Sequence, residues 1–135
     1  MSRLFVTLIL CLGLVNTGAA TTLKIATISP DGTSWMQSMR EAAELIDQRT
    51  QGRVKLRFYP GGVMGNDASV LRKIRINQLQ GGAVATGGLA SVDPDIQIYS
   101  LPLLFRSYAE ADLVRKQMDP VIISQLKDKG FISYG

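Results

Sequence analysis

Three short polar stretches hold most of the side chains that could do chemistry: Ser29-Pro30-Asp31-Gly32-Thr33-Ser34, Pro60 to Asp67, and Thr86 to Asp93. Hydroxyls, amides and glycines dominate them, and what such groups do best is hold an anion. Free backbone N–H groups at the start of a helix favour an exposed negative charge by about 0.3–1 kcal/mol through the helix dipole. A carboxylate or a phosphate ligand would suit. The competing reading of each stretch is a solvated turn.

Other chemistries are poorly supplied. Histidine is absent, which removes the side chain most used for proton transfer near neutral pH and with it the usual triads, dyads and histidine metal sites. The one cysteine, Cys11, lies in an apolar amino-terminal run, so the rest of the chain has no thiol for a disulfide or a zinc site. Asp93 and Asp95 resemble a carboxylate pair for acid and base work, but they flank Pro94 with no nucleophile motif nearby and read more simply as turn formers. Gly61-Gly62-x-x-Gly65 lacks the Gly-x-Gly spacing of a dinucleotide loop and the acidic residue about twenty positions on. Arg72, Lys73 and Arg75 fall on the solvent face of a helix. A formal net charge of +4 on 135 residues is too mild and too evenly spread to indicate nucleic acid. No catalytic residue, metal ligand or cofactor is expected.

The elements that must position these stretches can be read from the same sequence. With 46% hydrophobic and 19% charged residues, the chain has room for one domain at most. Residues 1–20 have the form of a secretory signal peptide: a basic start, an apolar run from Leu4 to Val15, and small residues at Gly18-Ala19-Ala20. That run is too short to span a bilayer, and residues 21–135 are expected as an exported, soluble α/β chain. Leu23 to Ile28 reads as a central strand. Ser34 with Gln37 reads as a capping box opening a helix with Trp35, Met39, Ala42, Ala43 and Ile46 on its apolar face, closed by Gly52. Val54 to Tyr59 is a second strand. Asn66 or Asp67 caps a second helix, with Val70, Leu71, Ile74 and Gln78 on one face and Gln80-Gly81-Gly82 closing it.

Ala83 to Thr86 reads as a third strand and Gly87-Gly88 as a turn. Ser107 with Glu110, and Asp119 with Pro120, open two further helices. Phe131 to Tyr134 reads as a strand at which the sequence stops, the pattern of a fragment. The sum is a βαβαβ unit, a parallel sheet covered by helices on both faces. In such sheets ligands settle at the carboxyl ends of the strands, which is where all three polar stretches lie. Trp35 is core by its helix face, or the wall of a pocket by its place in the first turn.

Taken together, Leu23-Lys24-Ile25-Ala26, Ser29-Pro30-Asp31-Gly32, Gly52-Arg53-Val54, Phe58-Tyr59-Pro60-Gly61-Gly62-Val63-Met64-Gly65-Asn66-Asp67 and Leu101-Pro102-Leu103-Leu104-Phe105 resemble the amino-terminal half of DctP-like periplasmic solute-binding proteins of TRAP transporters. The resemblance runs from about Leu23 to the end. It implies the first lobe of a two-lobed periplasmic protein that traps a small organic acid and delivers it to the membrane permease subunits of a TRAP transporter. It also implies substrate-binding residues at Ser29, Thr33 and Trp35 in the first loop, Asn66 and Asp67 at the second helix, and Gly87 and Gly88 after the third strand. Ser29 stands where the family often has histidine, and Gly82-Ala83-Val84-Ala85 replaces its usual polar step. The arginine that clamps the carboxylate in typical members falls beyond this sequence, so weak binding by this chain alone is implied. Two other classes remain open: a secreted carboxylate-based hydrolase, which predicts two acids converging in one cleft, and a non-binding fragment that offers only an interaction surface.

Overall fold

The computed structural model describes residues 19–134. The expected signal peptide therefore lies outside the described residues, Ala19 and Ala20 excepted. Strands β1 (Thr21–Thr27), β2 (Val54–Tyr59) and β3 (Gly81–Ala83) form one sheet in the order β2-β1-β3, with every pairing parallel. Helix α1 (Ser34–Arg49) joins β1 to β2, and α2 (Asp67–Arg75) joins β2 to β3. The two crossovers run in opposite directions across the sheet, so right-handed connections place their helices on opposite faces. The expected βαβαβ unit is present, with β1 at its centre. A short helix α3 (Thr86–Leu89), a 3-10 helix (Pro94–Ser100) and the long α4 (Tyr108–Asp128) follow.

On the α2 face, Val70 and Leu79 pack on Ala26. A Cβ at Gly82 would stand 2.6 Å from Val70 Cγ1 and 3.3 Å from the Ala26 carbonyl oxygen, an approach only glycine permits. This corrects two expectations. Gly81 and Gly82 do not close α2 but build β3, which spans Gly81–Ala83 rather than Ala83 to Thr86. The helix ends earlier, at Arg75, and Asn77 makes the left-handed step at φ 58°. Thr86 opens α3, so Gly87 and Gly88 sit in a helical turn and not in an open one.

Helix α1 is shifted in phase from its expected form. Its cap is Thr33, whose hydroxyl accepts from the Met36 N–H at 3.3 Å, and not Ser34. Met36 is fully buried while Trp35 is 41% exposed. At 100° per residue, Met36, Met39, Ala43 and Ile46 share a face, and Trp35 and Ala42 lie on its margin.

The two expected carboxy-terminal helices are one, with Pro120 inside it. An interior proline costs about 3 kcal/mol. Asp119 is not free to cap a new start: its carboxylate accepts from the Tyr99 hydroxyl at 2.6 Å and lies 3.4 Å from Arg115 Nε. Beyond the proline, Ile122 and Leu126 are held in the core with Leu71, Ile96 and Phe131, which keeps the helix on course. Phe131 to Tyr134 form no strand. Phe131 is buried beneath the Arg75 guanidinium, 5.2 Å from the ring centroid, so the run packs into the α4 core by its first residue instead of joining the sheet. Asp93 and Asp95 are turn formers, as expected: Asp93 caps the 3-10 helix by accepting from the Asp95 N–H at 3.1 Å, and it pairs with Lys129 Nζ at 3.0 Å.

Candidate functional site

The carboxyl ends of the three parallel strands lie side by side, and hydrogen bonds join the loops that leave them. Gly61 N–H donates to the Ser29 carbonyl at 2.8 Å and Gly62 N–H to the Thr27 carbonyl at 3.0 Å, which ties the loop after β2 to the loop after β1. Gly61 and Gly62 hold φ of 66° and 72°, the left-handed region where side chains are strained. Asp67 Oδ2 accepts from the Ala85 N–H at 3.1 Å, which ties the start of α2 to the segment after β3. The three polar stretches therefore share one rim.

Within the first loop, the Ser29 N–H donates to Thr27 Oγ1 at 3.1 Å, and the Ser29 and Thr33 hydroxyls stand 3.4 Å apart. Thr33 Oγ1 also donates to the Pro30 carbonyl at 3.1 Å. Asp31 turns outward to Arg40 at 2.7 Å, and that guanidinium holds the Asp31 carboxyl below its ordinary range. In the first turn of α1, Met36 N–H is bonded to the Thr33 hydroxyl and Gln37 N–H to the Thr33 carbonyl. The remaining two, Ser34 N–H and Trp35 N–H, have no partner among the described residues. That turn contains no acidic residue. Two N–H groups at the positive end of a 16-residue helix favour a negative charge beside them.

The second loop has the opposite polarity. Asn66 caps α2, its Oδ1 accepting from Ser69 N–H at 3.0 Å, and Asp67 occupies the first turn. Asp67 Oδ1 is buried with no hydrogen-bond donor among the described residues, so the second loop brings a carboxylate, not free N–H groups, to the rim. Gly88 is pressed against the same side chain: a Cβ there would stand 2.4 Å from Asp67 Cβ, whereas one at Gly87 would meet nothing within 4 Å.

Of the expected residues, Ser29 meets Thr33 and Asp67 meets Gly88. Trp35, Asn66 and Gly87 lie on the same rim, with no side-chain hydrogen bond from Trp35 or Asn66 to another of the seven among the described residues. Thr27 was missed: it is buried at the end of β1, and its hydroxyl shapes the first loop. A polar residue ending an apolar strand was the available signal. Two hollows, of about 360 and 320 Å³, lie against α4 and the 3-10 helix, and none of the seven expected residues lines either. All seven are half-buried or exposed, which makes the rim a ledge reached by solvent. No group of three or more potential metal ligands occurs among the described residues.

The model of a family described as DctP, bacterial extracellular solute-binding protein, family 7, matches residues 25–132. The 2,3-diketo-L-gulonate-binding periplasmic protein YiaO of Escherichia coli is 26% identical over 84 residues, 62% of this chain and 25% of that protein. Among solved structures, a TRAP periplasmic solute binding protein from Ochrobactrum anthropi is 28% identical with a TM-score of 0.73, covering 84% of this chain and 36% of that one. DctP7 of Bordetella pertussis, an extracytoplasmic solute receptor binding pyroglutamic acid, shares the fold with a TM-score of 0.74 at 24% identity, over 84% of this chain and 38% of that one. The chain thus spans about a quarter of the length of such a curated relative and well under half of these solved chains.

Proposed function

Because the chain belongs to family 7 of the bacterial extracellular solute-binding proteins, the DctP family, we propose that it forms the amino-terminal lobe, residues 21–135, of a periplasmic receptor for a small organic acid. In this reading residues 1–20 direct export and are removed, the lobe binds without catalysing a reaction, and the loaded receptor delivers its acid to TRAP permease subunits. The observation that carries it is the polarity of the rim: at the acid-free start of α1 two N–H groups have no partner among the described residues, and the Asp67 carboxylate belongs to the same rim. The ligand carboxylate takes the α1 end, beside Ser29, Thr33 and Trp35. Its hydroxyl or amide groups turn towards Asn66 and Asp67, and Gly87 and Gly88 keep the third side low. A ligand negative at one end and hydrogen-donating at the other fits this ledge better than a dianion, which would meet Asp67 with like charge. YiaO, which binds 2,3-diketo-L-gulonate, and DctP7, which binds pyroglutamic acid, support the choice of an acid.

The test uses the single tryptophan, Trp35, as its own reporter. Titration of the chain with pyroglutamate, galacturonate and succinate is expected to change Trp35 emission saturably in the millimolar range, with succinate weakest. Neutral sugars of the same size are expected to leave it unchanged. Equal responses to acids and neutral sugars, or no response to any acid, would overturn the reading.

A further inference from the structure

Strand β2 is an edge of the sheet, and its outward side has a definite chemistry. Thr21 N–H donates to the Arg53 carbonyl at 2.8 Å, which sets the phase of the parallel ladder: Lys55 and Arg57 turn their backbone groups towards β1, and Leu56 and Phe58 turn theirs outward. Val54 is closed off, its N–H and carbonyl both bonded to the Thr50 hydroxyl at 3.1 and 3.4 Å. The N–H and carbonyl groups of Leu56 and Phe58 have no outward partner among the described residues. This is an open edge two residues long.

Beside it, one face of the sheet is lined with cations. Lys55 and Arg57 alternate with Leu56, so they point to the same face, and Lys24 stands directly opposite Arg57 in the register. All three are exposed, and none has a carboxylate within 4 Å among the described residues. Like charges opposite one another destabilise a sheet. The other face of β2 is apolar, with Val54, Leu56 and Phe58 half-buried.

We propose that the open edge of β2 takes an extended acidic segment of a partner protein as a fourth strand. Such a segment carries carboxylates at alternate positions, facing Lys55 and Arg57, with apolar residues between them. The backbone groups of Leu56 and Phe58 supply the pairing, and the cations supply the choice of partner. A second copy of this chain is rejected by the same feature, since pairing two β2 edges sets Lys55 and Arg57 against their own kind. This inference does not rest on the acid site, which uses the loops beyond the carboxyl ends of the strands and not the outward backbone groups of β2.

Fluorescence anisotropy with labelled peptides tests it on the full chain. Alternating Glu-Val is expected to bind at least tenfold tighter than alternating Lys-Val and to weaken with added salt. N-methylation of every second peptide amide is expected to abolish binding in one phase and spare it in the other. The charge reversal K55E/R57E should exchange the preference between the two peptides. Equal binding of both peptides, indifference to N-methylation in both phases, or self-association of the chain that K55E/R57E disperses would each overturn the proposal. The N-methyl series leaves the protein unaltered, so it decides the matter even if the double variant fails to fold.

Discussion

The Asp67 carboxylate accepts a hydrogen bond from the Ala85 N–H at 3.1 Å, across 18 residues of sequence. It holds the start of α2 to the segment after β3. Gly88 packs so close to the same side chain that an added Cβ would lie 2.4 Å from Asp67 Cβ. The two adjacent glycines of this segment therefore differ. Gly88→Ala is expected to destabilise by about 1–3 kcal/mol through overpacking, whereas Gly87→Ala, with open space around it, should be neutral or stabilising by up to about 1 kcal/mol. Urea unfolding of the two variants side by side measures the contrast.

A second close approach makes a coupled prediction. Gly82→Ala brings its Cβ within 2.6 Å of Val70 Cγ1 and is expected to cost about 1–3 kcal/mol. Shortening Val70 to alanine in the same chain should return part of that loss, although Val70→Ala alone is destabilising because the residue is buried. A double-mutant cycle in urea reads the coupling, and strict additivity of the two costs would count against the packing described.

Much of this architecture could be read before the fold was known, because it rests on local signals. The βαβαβ order follows from apolar runs separated by Pro-Gly-Gly and Asn-Asp punctuation, and Asn66 as cap and Asp93 as turn former follow from residue type. What could not be read depends on distant contacts. Gly81 and Gly82 look like a helix stop until Val70 is seen to lie on them. Asp119-Pro120 looks like a helix start until Tyr99, twenty positions away, is found to occupy the aspartate. Trp35 and Met36 exchange roles through a one-residue shift of the cap to Thr33. The rim was legible as three stretches, but the bonds that join them were not.

Tyr99 offers a pH test. Its partial burial and its bond to the Asp119 carboxylate push the phenol up from 10.0 to about 12. A folded-state value above the unfolded one means that the native chain keeps a proton the unfolded chain releases. Stability from this pair is therefore complete below about pH 10 and is lost as pH rises towards 12. Phenolate absorbance should show one of the four tyrosines titrating late, and Tyr99→Phe should remove that late step.

On the acid side the buried carboxylate is Asp93. The Lys129 ammonium at 3.0 Å, helped by the Asp95 N–H, lowers its carboxyl against the opposing effect of burial. A depressed carboxyl stabilises above the unfolded value of 3.8 and loses that contribution as pH falls through the folded one. Lys129→Met is expected to lower the urea midpoint at pH 7 and to matter less at pH 3, where the carboxyl of the unfolded chain is largely protonated. An equal loss at both pH values would mean that the pair is not the cause.

The ledge is most directly tested by recording backbone amide resonances of the ¹⁵N-labelled chain during titration with pyroglutamate. The amides of Ser34 and Trp35 are expected to move first and furthest, followed by those around Asn66 and Asp67, with Asp67→Ala altering the second group more than the first. Shifts confined to α4 and the 3-10 helix, or spread evenly over the surface, would contradict a carboxylate held at the amino end of α1.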